Sequence, residues 1–192
     1  MSIVQPEMIY EWEGSERYPD RLRGDYKSEE RLEYIFLQMA RIVSIDAPLE
    51  FRFFAPSAAL LKYDYLENTA SVPLVSPLVA NLLRKRCGDA IQLLAATAYC
   101  RGGETIRDYQ VVNVLRLIPA VNNQKSRYEK FKGFSGIVGF DELVLLPNAM
   151  RDEEIGRLEE YSSYLLVNNS LRQALLDAGA RNLRFSSLKT SA

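Results

Sequence analysis

The sequence predicts an α+β fold, a mixed and mainly antiparallel sheet on which two similar helix-strand units pack. Three observations carry that expectation. First, the chain repeats itself at a spacing of 92 residues: Leu74 through Leu93 aligns without gaps on Leu166 through Phe185, apolar on apolar at 74/166, 75/167, 79/171, 83/175, 91/183 and 93/185. Second, residues 91–99 and 109–118 are two strand-forming segments separated by Arg101-Gly102-Gly103-Glu104, a composition suited to a hairpin loop. Third, Pro, Gly and Ser are scattered rather than gathered into a linker. Residues 1–192 are therefore expected to form one domain, with 1–56 as a helical and extended arm and 57–192 as the sheet-forming core.

Taken in order, Ile9, Tyr10 and Trp12 predict an edge strand or a packed arm. From Ser28, residues Leu32, Ile35, Phe36, Met39 and Val43 keep helical spacing; Ser28 can cap that helix, Glu29 and Glu30 favour its positive end, and Pro48 lies beyond its finish. Residues 50–54 read as extended, and 57–66 as a short helix running into a turn near Asn68. Each repeat unit then reads as a strand end, a capped helix and a new strand. In the first, Ser76 is an N-cap followed by Pro77 at the first helical position, Val79, Leu82 and Leu83 form the buried stripe, and Gly88 stops the helix. In the second, Asn168 or Asn169 offers the capping oxygen, Leu171, Ala174, Leu175 and Ala178 form the stripe, and Gly179 ends it. Tyr109 to Leu115 is apolar on both faces around Asn113, which predicts a central strand covered on both sides, with Asn113 as a satisfied structural amide. Residues 137–146 predict an outer strand ended by Pro147. Residues 151–161 fit a short helix or an irregular connector, because Gly156 interrupts a helical composition.

Hydrophobic residues make up 47% of the chain and charged residues 26%, within the range of a folded soluble protein able to bury about 70% of its unfolded surface. The opening Met1 to Glu7 has no basic or apolar signal region, and no apolar run is long enough to span a bilayer. A cytoplasmic location without membrane partners is the expectation. Cys87 and Cys100 are too few for a disulfide framework and read as reduced, half-buried thiols. The chain contains no histidine, which removes Ser-His-Asp and Cys-His nucleophiles and every histidine metal site. No cofactor or metal is expected. Carboxylate chemistry survives in principle at Asp141/Glu142, Asp152/Glu153/Glu154 and Glu159/Glu160, but adjacent side chains on a strand or helix point apart.

Gly133 to Gly139 lacks the lysine-serine ending of a phosphate loop and fits a flexible turn. Lys125, Arg127, Lys130 and Lys132 interleave with Tyr128, Phe131 and Phe134, a composition that can grip single-stranded nucleic acid. The net charge of −1 disfavours that partner. Arg84, Lys85 and Arg86 are accounted for by the negative end of a helix. Charge is unevenly distributed: residues 1–33 hold nine acids and five bases, and residues 141–160 hold seven acids and two bases. These stretches read either as solvated faces or as an acidic patch for a basic partner.

Leu74-Val75-Ser76 leading a helix, Asp89 to Leu94, Tyr109 to Leu115, Tyr164 to Asn168 and Ala178 to Phe185, in that order, resemble the immunity-protein family numbered eleven and its relative numbered forty-three, which accompany bacterial polymorphic toxins. The resemblance covers residues 60–188. It departs at Asn168, where the family usually has serine, and in the placing of a glycine near Arg181 or Asn182. It implies a non-enzymatic bacterial protein that binds and blocks a cognate toxin domain encoded nearby, and it transfers no residue-level binding motif. The acidic stretch Asp152, Glu153, Glu154, Glu159 and Glu160 is the expected contact surface. Two alternatives stand beside this reading: a small nucleic-acid-binding regulator using residues 125–132, and an enzyme using converged carboxylates or a pocketed Cys87 or Cys100.

Overall fold

The computed structural model describes residues 8–15, 17–27, 33–130 and 136–191. Its strands are β1 (Ile9–Glu13), β2 (Asp25–Lys27), β3 (Leu49–Arg52), β4 (Tyr65–Leu66), β5 (Leu74–Val75), β6 (Ile91–Tyr99), β7 (Thr105–Ile106), β8 (Gln110–Val114), β9 (Leu117–Ile118), β10 (Arg127–Glu129), β11 (Gly139–Glu142), β12 (Val144–Leu145), β13 (Ile155–Leu158), β14 (Leu165–Asn168), β15 (Arg184–Ser187) and β16 (Lys189–Thr190). The helices are α1 (Ser57–Leu60), α2 (Pro77–Cys87) and α3 (Asn169–Asp177), with 3-10 turns at Asp20–Leu22, Tyr34–Gln38 and Gly88–Ala90. This is the α+β fold with mixed sheets that the strand pattern predicts.

Of the two large sheets, one runs β2-β3-β6-β8-β5-β4, with β7 also on β6, and the other runs β15-β1-β14-β13-β9; β10-β11 and β12-β16 form two-stranded sheets. The repeat explains their kinship. In the first unit β5 and β6 both flank β8 antiparallel, and β4 pairs with β5. In the second, β14 and β15 both flank β1, and β13 pairs with β14. The order β6-β8-β5-β4 therefore matches β15-β1-β14-β13. The strand inserted in the middle follows its unit in the first case and precedes it in the second.

Alternation along the strands sends the aligned residues to one place. Val75, Val79, Leu83 and Ile91 meet Val167, Leu171 and Leu175 in a shared core, with Leu93, Leu183 and Phe185 packed at its margin. Leu74 and Leu166 point the opposite way, into two separate outer cores. Burying each large aliphatic side chain is worth roughly 1.5–3 kcal/mol, so the shared core is the main cohesion between the sheets. Ala178, assigned to the buried stripe from spacing, is exposed, because α3 has already ended at Asp177.

Several elements differ from the sequence expectation. Ile9 to Glu13 is an inner strand between β14 and β15, not an edge. The cap at Ser28 and the first turn of the expected helix lie outside the described residues; beyond them only a 3-10 turn forms at Tyr34–Gln38. Ala40 takes φ 49°, and the following backbone is held by sheet side chains instead of a helical ladder. The Gln92 amide donates to Val43 O at 2.7 Å and accepts from Val43 N at 3.1 Å, while Asn113 donates to Arg41 O at 2.8 Å. Asn113 is fully buried and structural, though its Oδ1 has no partner among the described residues.

The strand expected over 109–118 breaks at Leu115 and Arg116. Leu115 N donates to Ala90 O at 2.8 Å and Arg116 O accepts from Arg157 N at 2.8 Å, so the chain leaves one sheet as β8 and enters the other as β9, parallel to β13. Residues 137–146 divide between β11, which pairs with β10, and β12, which pairs with β16. Residues 151–161 contain the strand β13 rather than a helix. Gly156 is the reason such a strand fits: a Cβ there would lie 2.4 Å from Ile118 Cγ1, so only glycine admits the close approach of β9.

Two buried charges tie the segments together. Asp64, 4% exposed, accepts from the Ser76 hydroxyl at 2.7 Å and from Arg181 through its backbone N at 2.8 Å and its Nε at 3.0 Å. Ser76 occupies the N-cap position of α2, but its hydroxyl serves Asp64 and makes no capping bond; Asn168 does cap α3, accepting from Leu171 N at 2.8 Å. Arg157, 2% exposed, donates to Leu37 O at 2.9 Å and Ser162 O at 2.7 Å, and burial pushes its pKa down to about 10.

Burial alone would raise the Asp64 pKa, but the Ser76 hydroxyl and Arg181 outweigh it and hold the carboxyl below its ordinary 3.8. The stabilisation is therefore present above the unfolded value and is lost as pH falls through the lower folded one. Asp64→Asn should cost about 2–3 kcal/mol in urea unfolding at neutral pH, and the gap to the unsubstituted protein should close on acidification. Gly156→Ala should cost about 1–3 kcal/mol by overpacking against Ile118, with partial recovery when Ile118→Ala is added.

Candidate functional site

The acids singled out from the sequence sit at the two ends of β13, and the fold uses them unequally. Glu154 forms a two-pronged ion pair with Arg86, whose Nε lies 2.8 Å from Glu154 Oε2 and whose Nη2 also donates to Ser170 Oγ at 2.8 Å. This ties the end of α2 to the start of α3. Glu153 pairs with Arg116 at 3.2 Å, and Arg116 reaches Asp89 at 2.8 Å. Glu160 accepts backbone N–H groups from Val121 at 3.0 Å and Ala120 at 3.4 Å. Asp152 and Glu159 are exposed and have no side-chain partner among the described residues.

Asp152 and Glu153 border a groove of about 420 Å³ formed between Arg116–Pro119 and Leu146–Glu153. Leu117 and Leu146 are 45% and 41% exposed there. β9 and the loop after β12 thus place apolar side chains beside the free carboxylate of Asp152 and the paired one of Glu153 at the edge of the second sheet. Glu159 and Glu160 lie past the other end of β13, so the five acids flank this edge strand pair rather than forming one continuous cluster.

The other candidate groups resolve as follows. Arg127 pairs with Glu142 at 3.2 Å, Lys130 lies over the Tyr128 ring at 5.2 Å, and Tyr128 donates to Asn123 at 3.2 Å. Phe131, Lys132 and the stretch Gly133 to Ser135 lie outside the described residues. Cys87 is buried, and its pKa is pushed up to about 12, first by burial and then by the Glu154 carboxylate; burial also raises that of Cys100. Reactive thiols need the reverse environment, a stabilised thiolate. Among the described residues no three His, Cys, Asp or Glu side chains gather as metal ligands.

A carboxyl pair that sequence reasoning missed does exist. Glu11 and Glu13 share one face of β1, and Glu11 is pushed up to about 8, first by burial and then by Glu13. Glu13 is itself held by Arg184 at 3.1 Å and Ser186 Oγ at 3.2 Å. The alternation of Glu11 and Glu13 is the sequence signal for this pair, and it carries weight only once 9–13 is an inner strand and not the edge strand or packed arm expected from sequence.

A second groove, of about 580 Å³, lies on the larger sheet between residues 19–23, residues 54–63 and Arg101. Its cations come from three separate parts of the chain, so no run of bases marks it in the sequence.

The geometry defines a two-sheet frame that presents charged and apolar grooves and buries both thiols. The chain belongs to the Immunity protein family (Imm11), whose family model matches residues 5–190. That family comprises toxin inhibitors of polymorphic toxin systems and is generally non-enzymatic. The match extends the resemblance seen over residues 60–188 to nearly the whole chain. No curated protein matches the chain. No helix among the described residues is long and apolar enough to cross a membrane.

Alkylation by iodoacetamide at pH 8, read by mass spectrometry, should leave Cys87 unmodified in the native protein and label it fully in urea. Rapid native labelling would contradict the buried, protonated thiol.

Proposed function

We propose that this protein binds and neutralises a cognate toxin domain in the bacterial cytoplasm by occupying its surface, without chemistry of its own. The observation that carries this reading is the family match over residues 5–190, since it covers both sheets and both repeat units. The physical design supports it. Strands of both large sheets and the helices α2 and α3 share one core, so a partner meets a surface that is already ordered and little conformational entropy is lost on docking.

The contact surface proposed is the β9–β13 edge with its acids Asp152, Glu153, Glu154, Glu159 and Glu160. Asp152 and Glu159 are the residues free to pair with a basic toxin surface, while Leu117 and Leu146 offer apolar contact. Glu153, Glu154 and Glu160 hold the edge in shape through Arg116, Arg86 and the backbone at Ala120 and Val121.

Co-expression with the adjacent open reading frame, followed by purification through a tag on this chain, should yield a stoichiometric companion; its absence would count against neutralisation of a neighbouring toxin. With that companion in hand, Asp152→Lys with Glu159→Lys should slow association about tenfold at low salt, measured by stopped flow. Unchanged rates would remove this edge from the interface and leave the function standing.

A further inference from the structure

The groove on the larger sheet is cationic in a way that the fold does not use. Arg21, Lys62 and Arg101 line it, all exposed, and none of their side chains has an ion pair or hydrogen bond among the described residues. Arg23 stands at its end, beside Glu67 of a neighbouring pocket, and Asp20 is the one acid in the lining. Phe54 projects at the rim and is 64% exposed, the most exposed aromatic side chain among the described residues.

The position of each group follows from the backbone. Alternation past β3 buries Phe51 and Phe53 and turns Phe54 outward. Phe53 N donates to Tyr99 O at 2.8 Å and Arg101 N to Ala55 O at 2.9 Å, which carries the β3–β6 pairing onward and brings Arg101 beside Phe54. The opposite wall is latched by Tyr18, whose hydroxyl donates to Leu22 O at 2.9 Å and whose ring meets Tyr63 edge-on at 4.9 Å. Gly24 completes the latch: a Cβ there would lie 2.5 Å from the Phe53 ring, so residues 21–23 can lie this close to the sheet only with glycine next to them.

We propose that this groove docks an acidic segment of a protein partner, with carboxylates on Arg21, Lys62 and Arg101 and an apolar side chain packed on Phe54. The proposal rests on the binder reading above and adds a second contact surface of opposite sign on the other sheet. Guanidinium forks match carboxylates, and an exposed aromatic beside them is the composition of an interface hot spot. Nucleic acid fits less well. A phosphate backbone needs a stripe of cations with successive stacking platforms, whereas here the cations ring one pocket that includes Asp20 and offers a single exposed ring.

The test is fluorescence anisotropy of a short fluorescein-labelled peptide of glutamates around a central pair of leucines, titrated with the full chain at low salt. Saturable binding is expected, weakened about tenfold or more by Arg21→Glu with Arg101→Glu, and comparably by Phe54→Ala, which leaves the charge unchanged. The Arg21→Lys, Arg101→Lys protein should keep most of the affinity. No binding, equal binding by the charge-reversed protein, or tighter binding of oligothymidylate than of the peptide overturns the proposal. Because the probe is a synthetic peptide, this outcome is independent of whether a toxin co-purifies, and either reading can fail alone.

Discussion

Asp64 is buried where the first repeat unit meets the second, and its two oxygens are divided between them. Oδ1 takes the hydroxyl of Ser76 at the start of α2, and Oδ2 takes the backbone and guanidinium of Arg181, just beyond α3. Its backbone is shared as well, for Ser76 N donates to Asp64 O at 3.0 Å. A carboxylate removed from water is costly unless its acceptor sites are filled, and here the donors come from segments more than a hundred residues apart. The requirement to satisfy one charge therefore sets where α2 begins and how the strand after α3 approaches. Arg157 imposes a similar demand at another junction, since its donors reach Leu37 on the side of the larger sheet and Ser162 beyond β13.

Those constraints act on a core that the repeat had already shaped. Five of the six aligned apolar pairs converge on the space between the sheets, so α2 and α3 are buried against each other's units and neither sheet closes its inner face alone. The crossing from β8 to β9 adds a covalent tie in the same region. A frame joined by a shared core, a crossing strand and two buried charges has few soft directions. For a protein whose family acts by inhibition, that stiffness is useful, because affinity gained at the surface is not spent on ordering the scaffold.

The parts of this fold that could be read from sequence are those governed by local periodicity. The two units, the start of α2 at Pro77, the cap at Asn168, the glycine stops and the central β6–β8 pair all follow from residues near one another in the chain. The parts that could not be read depend on distant partners. Helical spacing over residues 34–43 is overridden because Gln92 and Asn113, on strands about fifty and seventy residues later, take the backbone groups a helix would need. Gly156 looks like a helix breaker until Ile118 is placed against it. The inner position of β1 is likewise invisible locally, since its place in the second unit corresponds to that of β8, which lies on the other side of the first.

The candidate surfaces divide along the same line. A run of acids at 152–160 is conspicuous in sequence, yet three of its five members are engaged by Arg86, Arg116 and backbone N–H groups, leaving Asp152 and Glu159 without a side-chain partner among the described residues. The cationic groove is inconspicuous, because Arg21, Lys62 and Arg101 are brought together only by the latch at Gly24 and the continued pairing beyond β3. A net charge of −1 thus averages over an acidic edge on one sheet and, on the other, cations unpaired among the described residues. Fields of opposite sign on separate sheets orient an approaching partner as well as attract it. Neutralising such charges in place would leave the fold intact, since among the described residues the side chains of Asp152, Glu159, Arg21, Lys62 and Arg101 take no part in the bonds that hold the sheets together.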